Sequence, residues 1–308
     1  MSYSKETYVY KTMQECKLDA DVYRLKGGDR RPGIIWIHGG GLIFGNRSML
    51  PLDQIELYLN AGYTIISIDY RLAPETKLKG IVEDIQDAYN WVYSKGADLF
   101  DIDPDHLIVI GHSAGGYLAL MAGFNVYPRP KALISFYGLG DITGEWCNLP
   151  DPHYTKEAIV PEEIAYQGVG GSVLTGSQFI GSYQTDKRWL FYLFCRQQGL
   201  WAKEITGHDS SIQPGIFNQF CPVRNISKDY PKTLLIHGDQ DMDVPCELSQ
   251  QMALSLEQNH VPHQLIIMKG LGHVFDRAGL NDPKVVEAFN AVQAFLSYSM
   301  RAPRQRKS

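Results

Sequence analysis

The sequence predicts an α/β fold: a mainly parallel central sheet with helices on both faces and an insertion that caps one edge. Three observations carry that expectation. Short apolar runs recur along the chain, stretches of helical periodicity separate several of them, and one long interval breaks the alternation. Short β-branched runs suit strands buried on both faces, and strands alternating with helices imply a parallel sheet.

Residues 8–12 and 17–23 alternate in polarity like an antiparallel strand pair. The compact runs at 34–37, 64–68, 107–110, 133–136, 234–236 and 265–268 follow as buried strands. Residues 81–95 place Ile81, Ile85, Ala88, Tyr89 and Val92 on one helical face, with Gly96 expected just past the end. Residues 247–258 and 284–300 show the same periodicity, the latter through Val285, Phe289, Val292 and Leu296. From 141 to 230 the chain is rich in Gly, Pro and aromatics, and RWLFYLFCRQQGLWAKEITGHD is its one convincing helical piece. A structureless loop of that length is improbable in a compact domain, so the segment is read as a cap over the sheet edge. The domain expectation is therefore a core from 1–140 and 231–300, a cap at 141–230, and a disordered basic tail at 301–308.

Composition excludes several function classes. Over 308 residues, 44% hydrophobic and 20% charged content describes a globular chain with ample core, while a net charge of -5 offers no footprint for nucleic acid. The first 25 residues lack the apolar core of a signal peptide, and no run reaches the ~18 apolar residues of a membrane span. The expectation is a cytoplasmic protein with neither nucleic-acid nor membrane partners; a homodimer stays open. Cys16, Cys147, Cys195, Cys221 and Cys246 are scattered, without C-x-x-C spacing, and read as free thiols.

The run LIVIGHSAGGYLALMAG, residues 107–123, turns from strand to helix within two or three residues at Ser113. Such a junction strains the backbone, so the neighbours two positions away, Gly111 and Gly115, must lack a Cβ. A serine held there is placed as a nucleophile. It needs a base, a group that orients the base, and donors for an oxyanion. HGDQDMDVP (237–245) and GLGHVFD (270–276) each follow a strand and leave the same sheet edge, giving the order Ser113, then an Asp, then His273. IHGGGLIFG, 37–45, supplies glycine amides, and Gly40 and Gly41 together with the Ala114 N–H can cradle a developing negative charge. Asp239, Asp241 and Asp243 alternate as in a calcium loop, but Val244-Pro245 stands where the turn glycine belongs and Gln250 where the bidentate acid belongs. No metal or cofactor is expected. His38 is read as orienting its own loop, His106, His112, His153, His208 and His237 as structural, His260 and His263 as surface residues, and Arg71 with Glu75 as bracing the turn after a strand.

On His38-Gly39-Gly40-Gly41, DYRLAPE (69–75), GHSAGG (111–116), HGDQDMDVP and GLGH, the chain resembles the α/β-hydrolases, near the hormone-sensitive-lipase-like and feruloyl-esterase-like carboxylesterases. The resemblance implies Ser113, Asp241 and His273 as triad, and Gly40, Gly41 and Ala114 as oxyanion hole. The long N-terminal cap helices of the hormone-sensitive-lipase-like branch have no counterpart here. The expected activity is hydrolysis of small carboxylic esters with short acyl chains through an acyl-enzyme, without a cofactor and with a small-molecule ester as partner. An amidase, formamidase or peptidase using the same triad is the alternative, and a non-catalytic ligand-binding protein is the second.

Overall fold

In the computed structural model, which describes residues 2–14, 16–177 and 185–300, the N-terminal polarity alternation becomes two antiparallel strands. β1 (Tyr3–Thr12) and β2 (Lys17–Leu25) pair with a bulge between Val9 and Lys11. The apolar runs become β3 (Arg31–Ile37), β4 (Thr64–Ile68), β5 (Ile102–His112), β6 (Ala132–Phe136), β7 (Lys232–Gly238) and β8 (His263–Met268). They form one sheet in the order β1-β2-β4-β3-β5-β6-β7-β8. β2 meets β4 antiparallel, and every pairing from β4 to β8 is parallel. Six strands therefore point the same way, and their C-terminal ends share one edge.

Both faces are covered, as the continuous apolar strands require. Ile35, Ile37, Val109 and Leu235 pack with α2 (Leu78–Phe100) and α3 (Ala114–Asn125) on one face. Ile34, Trp36, Ile110 and Ile236 pack on the other with α1 (Leu52–Asn60) and with α10 (Pro283–Ser299), through Phe289, Val292 and Leu296. Each such side chain contributes about 1.5–3 kcal/mol on burial. Alternate residues of one strand feed opposite layers, and this fixes the register.

Between β6 and β7 lie the short α4 (Glu145–Asn148) and α5 (Glu162–Ala165), then α6 (Lys187–Gln198), α7 (Trp201–Thr206) and α8 (Pro214–Phe217); α9 (Glu247–Gln258) follows β7. The helical piece expected in this interval is two helices, broken at Gly199, which takes the left-handed conformation at φ 67° and ends α6. A second expectation fails at Gly96. α2 runs through it to Phe100, because the Phe100 ring packs over Gly96 at the sheet and Asp101, left-handed at φ 56°, makes the stop instead. His263 is not a plain surface residue either, since it opens β8 half-buried. The expected tail at 301–308 lies outside the described residues. Among the described residues no helix is long and apolar enough to cross a membrane, and none of the five cysteines is joined in a disulfide.

Candidate active site

Ser113 sits between β5 and α3 with φ 57° and ψ -121°, a region an L-residue occupies only under strain. The turn is possible because its flanking glycines touch backbone. A Cβ on Gly111 would lie 1.9 Å from the Gly115 carbonyl oxygen, and one on Gly115 would lie 2.1 Å from that of Ile37. The turn points Oγ into a cleft of about 870 Å³ at the C-terminal edge of the sheet.

His273 arrives from the loop after β8, and its Nε2 lies 2.9 Å from Ser113 Oγ. Its Nδ1 lies 2.6 Å from Asp241 Oδ2, on the loop after β7. A carboxylate only accepts, so Nδ1 carries the proton and Nε2 is left to accept from the serine hydroxyl. Asp241 is fully committed. Oδ1 accepts the amides of Asp243 and Val244, both at 2.9 Å, and Oδ2 also faces His237 Nε2 at 3.1 Å. His237 donates from Nε2 to Asp241 and to the Val244 carbonyl, while its Nδ1 accepts from Ser249 at 2.7 Å. Burial alone would raise the Asp241 carboxyl, but the hydrogen bonds of His237 and His273 outweigh it and hold the group well below the usual carboxylate range. For His273, burial works downward, yet the charges of Asp243 and Asp241 prevail and raise it above its ordinary 6.5.

Gly40 and Gly41 line the cleft beside Ser113, and Ala114 heads α3 directly after it. Neighbours fix the peptide planes of this loop. The Gly40 carbonyl accepts the amides of Ile43 and Phe44, at 2.9 and 3.0 Å. In a trans peptide the N–H opposes the carbonyl, so the Gly41 N–H is turned away from that turn. One plane earlier, His38 Nδ1 donates to the Gly39 carbonyl at 2.7 Å and so orients the Gly40 N–H. His38 is stacked on Tyr70 at 4.2 Å, and burial pushes its imidazole down to about 4, so it stays neutral. One plane later, Trp201 Nε1 of α7 donates to the Gly41 carbonyl at 2.9 Å.

Several contributors were not found by reasoning from sequence. Tyr137, at φ 38° after β6, sets its ring against that of His273 at a centroid distance of 4.7 Å. Its hydroxyl donates to the buried Asp276, which also accepts from Gln54 Nε2 at 2.8 Å and faces His112 Nδ1 at 3.1 Å. Burial would raise Asp276, but His112, Tyr137 and Arg277 hold it far below the usual range. This network backs both Ser113, through its neighbour His112, and His273. Its one sequence signal was an aspartate three residues past the histidine. From α6, Arg196 is 1% exposed and pairs with Asp151 and with Asp243 Oδ1, the latter at 2.6 Å. A cation placed directly after the apolar run 189–195 was the available hint.

Arg71 and Glu75 do not brace one turn together. Arg71 pairs with Asp84 of α2 at 2.7 Å, whereas Glu75 reaches Arg188 of α6 at 2.7 Å. Of the aromatics in the interval from β6 to β7, Trp189, Tyr192 and Tyr154 line the cleft, joined by Phe44 from the glycine loop. Phe191, Phe194, Trp201, Phe217 and Phe220 are buried in the core instead. Among the described residues no group of three or more His, Cys, Asp or Glu side chains is gathered as for a metal ion.

Comparison with known proteins agrees with this architecture. Residues 20–143 match the family model described as BD-FAE, and residues 188–302 match that of the prolyl oligopeptidase family. Among curated relatives, the non-reducing polyketide synthase ausA of Emericella nidulans is 34% identical over 318 residues, covering 88% of this chain and 13% of the relative. The non-reducing polyketide synthase Preu6 of Preussia isomera is 29% identical over 304 residues, covering 89% of this chain and 14% of the relative. The chain thus spans about one seventh of these proteins. A Staphylococcus aureus protein of unknown function superposes with a TM-score of 0.76 at 24% identity, covering 97% of this chain and all of that one. Esterase 2 of Thermogutta terrifontis, in a butyrate-bound structure, gives 0.68 at 21% identity, covering 97% and 96%. An α/β-hydrolase superfamily protein of Enterococcus faecalis gives 0.71 at 20% identity, covering 96% and 99%, and with the parallel sheet described above it establishes the α/β-hydrolase fold for this chain.

Proposed function

We propose that the protein is a serine hydrolase that cleaves small carboxylic esters through an acyl-enzyme intermediate. The observation that carries this reading is the continuous chain Ser113 Oγ, His273 Nε2, His273 Nδ1, Asp241 Oδ2, with separations of 2.9 and 2.6 Å. His273 takes the serine proton as Oγ attacks the ester carbonyl; the Gly40, Gly41 and Ala114 amides receive the oxyanion; and His273 then protonates the departing alcohol. Water repeats the attack on the acyl-enzyme with His273 as base. The similarity to esterase 2 of Thermogutta terrifontis, which has been captured phosphonylated by sarin, supports this chemistry.

The test is labelling with a fluorophosphonate probe followed by peptide mapping. A single adduct at Ser113, absent after His273→Ala, is the expected result. A folded wild-type protein that does not label would sink the hydrolase reading and favour a ligand-binding role. A second reading, cleavage of amides or peptides at the same serine, draws support from the match of residues 188–302 to the prolyl oligopeptidase family. Parallel kcat/KM values for a p-nitrophenyl ester and the matching p-nitroanilide decide between them, with the ester expected to lead.

A further inference from the structure

Asp243 lies two residues beyond Asp241, and its carboxylate is held differently. Oδ1 accepts from the Tyr192 hydroxyl at 2.5 Å and from Arg196 Nη1 at 2.6 Å. Arg196 is itself fixed, since it pairs with Asp151, donates to the Asp243 carbonyl at 3.0 Å, and lies 4.9 Å from the Trp146 ring. The carboxylate cannot swing away. The Tyr154 hydroxyl also interacts with this carboxylate, and Oδ2 faces the cleft 3.4 Å from His273 Nε2, the same nitrogen that meets Ser113.

This contact changes sign with the protonation of Nε2. While His273 is neutral, its one proton is on Nδ1 against Asp241, and the Nε2 lone pair faces an anionic oxygen, which is repulsive. Once Nε2 gains a proton the same pair becomes an N–H donor and a carboxylate acceptor, a charge-assisted contact. An interaction that strengthens on the way to the transition state lowers the barrier, whereas one equal in both states does not. We propose that Asp243 is a positioning residue for the hydrolysis: a second carboxylate, clamped by Arg196 and Tyr192, that stabilises the His273 imidazolium formed as Ser113 attacks.

The inference rests on the serine-hydrolase reading. In that step the Ser113 O–H bond breaks, an Nε2–H bond forms, the Oγ electron pair bonds the carbonyl carbon, and the carbonyl π pair moves to oxygen. Asp243 neither gains nor loses a proton. The same carboxylate favours imidazolium in the resting enzyme, so it also sets where activity is lost in acid. The other groups around His273 are Asp241 on Nδ1, Ser113 on Nε2, the Tyr137 ring edge, and Asp276 on the turn just after it, the last paired with His112 and close to Arg277. Among these carboxylates Asp243 is the one that meets Nε2.

The experiment has two arms. The first is kcat/KM against pH for a p-nitrophenyl ester, with wild type and Asp243→Asn. The acid limb is expected to move about one pH unit lower, because one nearby opposite charge is lost. The plateau is expected to fall by less than ~10-fold, so the two profiles converge or cross in acid, with KM little changed. An equal loss of rate at every pH, with the limb unmoved, is what a merely structural role gives, and it would overturn the proposal. The second arm is an NMR titration of His273 in a Ser113→Ala background, with and without Asp243→Asn, which needs no turnover. A His273 midpoint that does not fall overturns the proposal even if esters are not substrates, while absent turnover in wild type counts only against the hydrolase reading. Should Asp243→Asn fail to fold, Tyr192→Phe removes one donor from Oδ1 and leaves more charge on the carboxylate. The His273 midpoint should then rise, and a fall or no movement overturns the idea.

Discussion

Two histidines, one buried against an apolar ring and one between carboxylates, respond to protons in opposite directions. As the base of the proposed reaction His273 must be neutral, and its pKa is raised above the ordinary 6.5, so kcat/KM should climb with pH through a midpoint above that value. A profile flat between acid and neutral pH would remove the histidine base. Ser113→Ala and His273→Ala are each expected to lower kcat by about 10⁴-fold or more, and Asp241→Asn by about 10³-fold, since in the proposed mechanism the three act as one proton-transfer unit. A tenth of wild-type activity in folded Ser113→Ala would contradict the assignment. His38 is different. Its folded pKa of about 4 lies below the ordinary 6.5, so the unfolded chain binds the extra proton as pH falls between those values. Stability is therefore lost in acid, by up to about 3 kcal/mol from this one group. Denaturant titrations at pH 7 and pH 4.5 should show a smaller loss in His38→Gln than in wild type; an equal loss would mean that His38 is not held neutral.

At the scale of elements, α6 ties the interval between β6 and β7 to both halves of the site. Arg188 donates to the Ile43 carbonyl of the glycine loop at 2.8 Å and pairs with Glu75, while Arg196 holds the loop that carries Asp241 and Asp243. A buried guanidinium between two carboxylates is costly to form and more costly to break, because its removal strands the partners' charge. Arg196→Met should therefore destabilise by about 3–5 kcal/mol, read as a drop in Tm. The double variant Arg196→Met with Asp243→Asn should lose less than the sum of the singles, since it removes one stranded charge together with its partner. Strict additivity would show that the pair is not coupled.

For the molecule as a whole, the proposed function has the sheet edge supply the reacting groups and the aromatic side chains set how much substrate fits above them. Phe44, Trp189 and Tyr192 form a contiguous wall, with ring centroids 5.5 to 5.9 Å apart, beside Ser113. Each methylene that fits contributes at most ~0.8 kcal/mol, and the gain becomes a steric penalty where the chain meets a ring. The expected outcome for p-nitrophenyl esters is a kcat/KM maximum from acetyl to butyryl, a steep fall by octanoyl, and no activation by emulsified triglyceride. A maximum at decanoyl or longer would show that the wall opens. Trp189→Ala should shift the maximum to longer chains.

The sequence by itself determined the strand set, the parallel core and the identity of the groups at the strand ends. Those features depend on local pattern: apolar runs such as 64–68 admit one burial, and Gly111 and Gly115 flank Ser113 because any Cβ there would strike backbone. The three loops that end in Gly41, Asp241 and His273 follow strands of one direction, so strand direction alone brings them to one edge. Tertiary structure decided what local pattern cannot encode. Which of the three clustered aspartates meets His273 Nδ1 depends on the path of a loop, and the three play three parts: Asp241 on Nδ1, Asp243 beside Nε2, and Asp239 on the Gly270 amide at 2.6 Å. The partners of Arg196, Trp201 and Asp276 lie 47, 160 and 139 residues away in sequence. Pairings of that separation leave no periodicity to read, because they are selected by the packing of whole elements. α2 likewise ran past Gly96 because a ring four residues later found a buried place against the sheet.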